Sequence, residues 1–193
     1  RSIELFAGAG GLALGLEQAG FEHIGLIELD HAAADTLKKN RPFWNVLCED
    51  ISNVASRDVE NEFGIKKYEL DLLSGGAPCQ SFSYAGKRLG LQDVRGTMFY
   101  HYATFLHKLQ PKMFLFENVR GLLTHDSGRT YQTILSIFED EGYNTTHAVL
   151  TLGIMVFRKK GSALSQSEYE KIWLIRAVSL FLFLTHINLS FTM

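Results

Sequence analysis

The sequence predicts an α/β protein built on a doubly wound parallel sheet. Short apolar runs rich in Ile, Leu, Val and Phe recur along the chain, and each is followed by a glycine or polar turn and a helix-like stretch, which is the pattern of βαβ units. The composition indicates a folded globular chain, because 46% of the 193 residues are hydrophobic, 21% are charged and only three are proline. This length holds one domain of ordinary size and leaves no room for a second full one.

The order of the elements follows from these runs. Strands are predicted at Ser2–Phe6, Ile24–Leu29, Asn45–Cys48, Leu70–Ser74, Met113–Glu117 and Thr145–Leu150. Helices are predicted at Leu12–Ala19, Ala32–Asn40, Met98–Leu109 and Arg129–Glu141. In such a sheet ligands bind outside the carboxyl ends of the strands, so we expect the functional residues at that edge.

Charge is unevenly distributed along the chain. The formal net charge is −2, which argues against a protein that grips a polyanion over its whole surface. Residues 1–150 hold 14 basic and 19 acidic side chains and residues 151–193 hold 5 and 2, so the two parts carry −5 and +3. If the protein handles DNA, its main phosphate-binding surface is therefore expected elsewhere.

Cysteine usage indicates the compartment. Cys48 and Cys79 show neither metal-ligand spacing nor a disulfide framework, so we expect no metal site and a reducing cytoplasm. The chain opens at Arg1 without Met and enters a strand almost at once, so we expect the true start of the gene product to precede it.

A glycine turn follows the first strand and leads into a helix. Its residues are Phe6, Ala7, Gly8, Ala9, Gly10 and Gly11. Glycines allow the backbone to approach a ligand closely, and the helix N-terminus offers free N–H groups. Glu28, after the second strand, is placed to accept from ribose hydroxyls, and Asp50, after the third, to accept from an adenine amino group. The turn fits a nicotinamide or flavin enzyme about as well, a ligand-free turn is also open, and Asp50 is equally suited to cap a helix.

The fourth predicted strand leads into a loop of small and rigid residues. The loop reads Gly75, Gly76, Ala77, Pro78, Cys79, Gln80, Ser81, Phe82 and Ser83. An exposed cysteine at the carboxyl edge of the sheet suits a nucleophile, because its thiolate is the reactive form and nearby helix N-termini favour the thiolate. Cys48, within an apolar strand, is expected to pack as a small hydrophobic residue.

These residues resemble the DNA (cytosine-5) methyltransferase family, whose hallmark is Pro-Cys in this loop. The glycine turn resembles the S-adenosylmethionine loop of the family, the stretch from Asp93 to Thr97 resembles the motif that follows the Pro-Cys loop, and Phe116 to Val119 resemble its Glu-Asn-Val motif. The resemblance implies a Rossmann-like methyltransferase sheet over residues 1–150, here truncated. It also implies the residues that bind S-adenosyl-L-methionine, namely Phe6, Gly8, Gly10, Gly11, Glu28, Leu29, Asp50, Ile51, Pro78, Asn118 and Val119.

By the same resemblance, Cys79 and Glu117 are the catalytic residues. The Cys79 thiolate adds to carbon 6 of cytosine and makes carbon 5 able to take a methyl group, which splits one hard step into two easier ones. Glu117 holds a proton at ring nitrogen 3 while the thiolate adds, a role that a raised pKa would suit. If Cys79 were absent, an ordinary salt bridge at the strand end would be the preferred interpretation of Glu117.

The implied partner is double-stranded DNA with the target cytosine rotated out of the duplex. The residues expected to border the DNA are Gln80, Ser81, Ser83, Lys87, Arg88 and Arg95. Basic side chains in a glycine-flanked loop suit phosphate contact. A solvated turn is an equally good interpretation of the Lys87 and Arg88 pair.

The resemblance stops after residue 150. In the family a Gln-x-Arg-x-Arg motif, a target-recognition domain and a returning C-terminal helix follow, and residues 151–193 contain none of them. Codons rebuilt across the residue boundaries from Leu150 permit a sequence that includes the missing motif, so we predict a frameshift of one nucleotide near Thr151. A membrane anchor at Ile172–Phe191 is disfavoured, because Arg176, His186 and Asn188 interrupt that stretch. We expect this tail to be helical or poorly ordered.

The predicted function is transfer of a methyl group from S-adenosyl-L-methionine to carbon 5 of cytosine in DNA, in a bacterial restriction-modification system. With target recognition missing, we expect these residues to have little activity alone. A fragment or partner subunit that binds S-adenosyl-L-methionine without catalysis, with a complementing C-terminal fragment, remains an alternative. A nicotinamide-dependent oxidoreductase is a second alternative, but it leaves Cys79 and Glu117 unexplained.

Overall fold

The computed structural model describes residues 1–78, 97–151 and 170–176. Within these ranges the strands form one sheet in the order β3-β2-β1-β4-β5-β7-β6. The strands are β1 (Ser2–Leu5), β2 (His23–Glu28), β3 (Val46–Cys48), β4 (Leu72–Gly75), β5 (Met113–Val119), β6 (Thr145–Thr151) and β7 (Glu170–Arg176). The α-helices are α1 (Gly11–Gln18), α2 (His31–Asn40), α3 (Ile51–Ser56), α4 (Val59–Phe63), α5 (Met98–Leu109) and α6 (Arg129–Asp140), and short 3-10 helices lie at Arg120–Leu123 and His125–Gly128.

Strands β1 to β5 are parallel and helices cover both faces of the sheet. Strand β1 pairs with β2 and β4, β2 pairs with β3, and β4 pairs with β5. Helices α1 and α2 pack with Leu26 on one face, whereas α3 to α6 pack with Ile27 on the other. Neighbouring residues serve two cores because successive side chains of a strand point to opposite faces. The predicted doubly wound α/β fold is confirmed.

The core beneath α5 and α6 is rich in aromatic rings. Phe116 of β5 lies with its ring centroid 5.5 Å from Phe99 and 5.0 Å from Tyr102, both on α5. Phe138 of α6 lies 4.4 Å from Phe114 of β5. All five rings are fully buried, and edge-to-face contacts add to the stabilisation from burial. Strand β5 is therefore held firmly as far as Phe116.

The predicted boundaries agree with the structure to within two residues, and α5 agrees at both ends. Strand β1 ends one residue earlier than predicted because Phe6 has a φ of 57°, a left-handed conformation that no strand continues through. Helices α3 and α4 were missed because their 6 and 5 residues are too short to show a helical period of apolar residues.

The expectation that the tail is helical or poorly ordered is wrong for residues 170–176. These residues form β7, which pairs antiparallel with β5 on one side and with β6 on the other. The run Glu-Lys-Ile-Trp-Leu-Ile-Arg is rich in residues that favour strands, and it supplies partners for the backbone N–H and C=O groups along β5. Residues 177–193 lie outside the described residues. None of the helices in the described ranges is long and apolar enough to cross a bilayer.

A polar layer lies between β1 and α1, beneath the glycine turn. Glu4 of β1 is 2% exposed and lies beside the Ala13 N–H of α1 and the Ser74 hydroxyl. Burial raises the pKa of Glu4 to about 8. His23 bonds through Nε2 to the Ala13 carbonyl (2.8 Å) and through Nδ1 to the Ser2 hydroxyl (2.9 Å). Among the described residues, Glu4 Oε2 has no hydrogen-bond partner.

Candidate active site

The glycine turn joins β1 to α1 in the way its composition predicts. Gly8 and Gly10 have φ angles of 55° and 90°, which a residue with a side chain rarely adopts. Gly10 is also the N-cap of α1, and a Cβ placed there would lie 2.4 Å from Leu37 Cδ2 on α2. The glycine is required both by the turn and by the close approach of α2.

Glu28, at the end of β2, fixes the glycine turn. Its Oε2 accepts the Gly8 N–H at 2.7 Å and its Oε1 accepts the Asp30 N–H at 2.8 Å. A carboxylate has about four acceptor sites, so both oxygens keep lone pairs for a ligand. Glu28 is therefore a structural brace of the turn as well as a candidate ligand contact.

Asp50 caps α3, as one of the two interpretations of its sequence position predicts. Its Oδ1 accepts the Ser52 N–H at 2.8 Å and the Ser52 hydroxyl at 2.6 Å, and these bonds lower the pKa of Asp50. Among the described residues, Asp50 Oδ2 accepts no hydrogen bond. The cap and a ligand contact are compatible, because they use different oxygens of one carboxylate.

A cavity of about 860 Å³ opens at the carboxyl ends of β1, β2 and β3. Such a volume is in the range of cavities that hold a small molecule or cofactor. The residues that line it include six of the predicted cofactor contacts together with seven residues that were not predicted as such contacts. The lining is Phe6, Ile27, Glu28, Leu29, Asp30, His31, Ala32, Glu49, Asp50, Ile51, Gly76, Pro78 and Met98.

The lining places the predicted cofactor residues in two groups. Phe6, Glu28, Leu29, Asp50, Ile51 and Pro78 border the cavity. Gly8, Gly10, Gly11, Asn118 and Val119 are not among its lining residues in the described part of the chain. The glycines shape the turn behind the cavity, and the geometry of Asn118 points to another role.

Four of the unpredicted lining residues carry polar or soft side chains. Asp30, His31 and Glu49 are neighbours of predicted contacts, and Met98 opens α5. Asp30 and Glu49 could have been found, because each closely follows the end of a strand. Cys48 packs against the α1 and α2 core as predicted, and its Sγ also lies 3.2 Å from His31 Nδ1.

Glu117 lies at the same edge of the sheet, against the tail of β4. A Cβ placed on Gly76 would lie 2.3 Å from Glu117 Oε2 and 3.0 Å from the Glu117 carbonyl oxygen. The absence of a side chain at position 76 therefore makes room for the Glu117 carboxylate. Gly76 is three residues before Cys79 in the chain, so Glu117 lies beside the segment that leads to the predicted nucleophile.

Asn118, the next residue of β5, is buried and makes a hydrogen bond through each end of its amide. Its Nδ2 donates to the Ala77 carbonyl at 2.9 Å and its Oδ1 accepts the Val119 N–H at 2.8 Å. Only 5% of Asn118 is exposed. The side chain thus joins the tails of β4 and β5.

The Pro-Cys loop itself is outside the described residues. The predicted nucleophile Cys79 and the predicted DNA contacts Gln80, Ser81, Ser83, Lys87, Arg88 and Arg95 all lie there. Their roles stay predictions.

Comparisons with known proteins identify a family that this chain matches. Residues 1–153 match the family model described as C-5 cytosine-specific DNA methylase. The chain is 54% identical over 148 residues to the type II methyltransferase M.Sau96I of Staphylococcus aureus, an alignment that covers 77% of this chain and 34% of that protein. It is 52% identical over 141 residues to M.Eco47II of Escherichia coli, covering 73% of this chain and 32% of that protein.

The fold has solved relatives as well. A mutant of DNMT2 from Spodoptera frugiperda superposes with a TM-score of 0.63 at 21% sequence identity, covering 94% of this chain and 51% of that one. The described chain spans about a third of the length of the two methyltransferase relatives.

Proposed function

Since this chain belongs to the family of C-5 cytosine-specific DNA methylases, we propose that it forms the cofactor-binding and nucleophile part of a bacterial DNA cytosine-5 methyltransferase. The proposed cofactor is S-adenosyl-L-methionine and the proposed substrate is double-stranded DNA in the cytoplasm. Two relatives are named type II methyltransferases, which favours a restriction-modification system. The observation that carries the proposal is the cavity at the strand ends, with Glu117 and the residues leading to Cys79 beside it.

The cavity is large enough for S-adenosyl-L-methionine, and its side chains offer hydrogen-bond acceptors that suit this cofactor. Glu28 and Asp50 each keep acceptor capacity after their bonds within the protein, which suits the ribose hydroxyls and the adenine amino group. Leu29 is 62% exposed at the cavity, which leaves an apolar surface for the flat base. The bound cofactor would supply an electrophilic methyl group, and Phe6, Glu28, Leu29 and Asp50 would hold it.

The protein side of the reaction rests on Cys79 and Glu117. The Cys79 sulfur forms a bond to carbon 6 of the flipped cytosine, and the electrons of the ring double bond shift toward carbon 5. Glu117 keeps a proton at nitrogen 3, so that negative charge does not build up on the ring. Gly76 supports this step by leaving room for the Glu117 carboxylate.

In this proposal, residues beyond the 193 of this sequence would complete the enzyme. The matched residues cover only 34% of the first relative, so the proposed target recognition comes from further sequence or from a second chain. A non-catalytic role in which this chain only binds the cofactor for a partner remains the second candidate, and the short span of the match favours considering it.

The first test is binding of S-adenosyl-L-homocysteine by calorimetry. We expect saturable binding by the chain, and we expect Glu28→Gln to weaken it about tenfold because the variant loses acceptor capacity and loosens the glycine turn. Glu22→Gln is the matched control, since Glu22 precedes the same strand at the opposite edge of the sheet. Absence of binding to the native chain would contradict the proposal.

The second test is covalent trapping with S-adenosyl-L-methionine and a high concentration of a short duplex that contains 5-fluorocytosine, in which fluorine at carbon 5 blocks the elimination that would release the protein after methyl transfer. A methyltransferase forms an adduct through Cys79, and Cys79→Ser forms none. Cofactor binding without any adduct would assign the chain to the second candidate, a binding fragment.

A further inference from the structure

The tails of β4 and β5 separate just where the predicted chemistry begins. Their backbone ladder ends at the pair Gly75 and Phe116. Gly75 has a φ of 148°, so β4 leaves the sheet at this residue. Extending the register by one and two residues places Gly76 opposite Glu117 and Ala77 opposite Asn118. Beyond Gly75, side chains of β5 hold the tail of β4 in place of backbone hydrogen bonds between the two strands.

Asn118 supplies the bond that the ladder no longer makes. Its Oδ1 faces the Val119 N–H, which can only donate, so the amide orientation is set by chemistry and Nδ2 must face the Ala77 carbonyl. A buried amide that bridges two strand tails is worth more than an exposed one, because water does not compete for the carbonyl.

Glu117 and Asn118 divide the tail of β4 between them. Successive residues of a strand point to opposite faces, so Glu117 contacts Gly76 while Asn118 grips Ala77. Only Pro78 separates Ala77 from Cys79, and its ring fixes one of the two backbone angles of that residue.

We propose that Asn118 is a positioning residue, not a cofactor contact, and that it holds Ala77 so that the start of the Pro-Cys loop keeps a fixed relation to Glu117. This inference rests on the proposed function for the roles of Cys79 and Glu117. Its structural content is independent of that function: one buried amide restricts where the Pro-Cys loop begins.

The test compares the two thiols of one molecule. Asn118→Asp keeps the acceptor for the Val119 N–H and removes the donor to Ala77, and Asn118→Ala removes both without adding charge. Asn45→Asp is the matched control, because Asn45 Nδ2 makes the same type of bond to the Ile24 carbonyl at 3.0 Å, at the other edge of the sheet. Iodoacetamide alkylation of Cys79 and Cys48 is followed by mass spectrometry in the folded chain and in urea.

We expect the ratio of the Cys79 rate to the Cys48 rate to shift at least about fivefold toward its value in urea in both Asn118 variants, because the loop loses its tie. Asn45→Asp should leave the ratio unchanged. Affinity for S-adenosyl-L-homocysteine should stay within about twofold of the native value. Circular dichroism checks that each variant is folded. In a variant that has unfolded, Cys48 would also react at the rate it shows in urea. The other Asn118 variant would then decide the test.

Three results would overturn the inference. The ratio could be the same in the native chain and in the folded Asn118 variants. Cofactor affinity could fall while the ratio stays constant, which would make Asn118 a cofactor contact. The native Cys79 could already react as it does in urea. If the native chain did not bind the cofactor, that result would instead contradict the proposed function. The ratio of the two alkylation rates would still measure whether the bond from Asn118 to Ala77 restrains the loop.

Discussion

The two halves of the carboxyl edge are stabilised in different ways. Around the cavity, at the ends of β2 and β3, acidic side chains accept from backbone N–H groups close in sequence: Asp30 from Ala33 and Asp50 from Ser52. At the ends of β4 and β5, Asn118 reaches Ala77 across 41 residues of sequence. The cavity half is thus built largely from local caps, and the half that leads to the nucleophile is built from contacts between distant strands.

The difference has an energetic meaning. A helix cap contributes about 1 kcal/mol and can be lost without disturbing the rest of the fold. A contact between strand tails depends on the whole sheet, and it is lost completely when the two backbones cannot approach each other. We therefore expect substitutions in the first half to change ligand affinity by degrees, and substitutions in the second half to act through folding or alignment.

Glu28 and Glu4 make non-local contacts near the cavity half, with Gly8 and with α1 respectively, and Glu4 gives the largest expected effect. The folded chain holds its proton more tightly than the unfolded chain, whose pKa is near 4.5, because burial raises the pKa to about 8. Stability therefore falls as pH rises from 4.5 to 8. Glu4→Gln removes this pH dependence. The unfolding free energy of the variant should therefore rise relative to that of the native chain by up to roughly 1.4 kcal/mol per pH unit in that window.

Urea unfolding of both chains at pH 5, 7 and 9 measures the Glu4 effect. The difference between the two chains isolates Glu4, since all other titrating groups are shared. A difference that does not change with pH would mean that Glu4 finds a partner for its charge in the folded state.

Gly75→Ala should give the next largest effect, in the other half. A Cβ at this position would lie 2.2 Å from the Leu5 carbonyl oxygen, and the φ of 148° is unsuited to alanine. We expect a loss of about 3 kcal/mol of unfolding free energy, because two backbones would have to separate. Urea denaturation measures it.

The control for Gly75 is Gly15→Ala. Gly15 lies inside α1 with no atom within 4 Å of a built Cβ, so alanine should stabilise the chain by about 0.5–1 kcal/mol. Equal effects of the two substitutions would show that the β4 tail tolerates separation, which would weaken the contrast between the two halves.

Asp50 tests whether a local cap also serves a ligand. Asp50→Ala should lower stability by about 1 kcal/mol, and Asp50→Ser, which keeps a capping oxygen, by less. Because bonds from Ser52 lower the pKa of Asp50, this stabilisation is present near neutral pH and is lost as the pH falls through the folded pKa. Both variants should bind S-adenosyl-L-homocysteine about tenfold more weakly, as measured by calorimetry.

Asp58 is the matched control for Asp50, because it caps α4 by accepting from Asn61 and does not line the cavity. Asp58→Ala should lower stability by a similar amount, about 1 kcal/mol, without changing affinity. If Asp50→Ser kept full affinity, Asp50 would be a cap alone.

Leu29 gives the smallest expected effect on folding. Its side chain is 62% exposed at the cavity, so Leu29→Ala should change the unfolding free energy by less than about 0.5 kcal/mol. The lost apolar surface should weaken S-adenosyl-L-homocysteine binding about three- to fivefold. Unchanged affinity by calorimetry would place the base elsewhere in the cavity.

Predictability from sequence follows the same division. The glycine turn, Glu28 and Asp50 could be identified because each lies at the end of an apolar run with a residue type suited to its place. His31 and Met98 could not be singled out, since their value depends on which helices the fold brings to the cavity. Strand β7 was missed although its seven residues are rich in strand-favouring side chains, because its pairing with β5 is a property of the sheet.

The sequence alone determined the alternation of strands and helices, the position of the glycine turn and the resemblance carried by the Pro-Cys and Glu-Asn-Val motifs. These are local properties, because hydrophobic period and turn chemistry act over a few neighbouring residues. Only the tertiary structure decided that Gly76 makes room for Glu117 and that Asn118 holds Ala77. Such contacts join residues some forty positions apart, and their geometry exists only once β4 and β5 lie side by side.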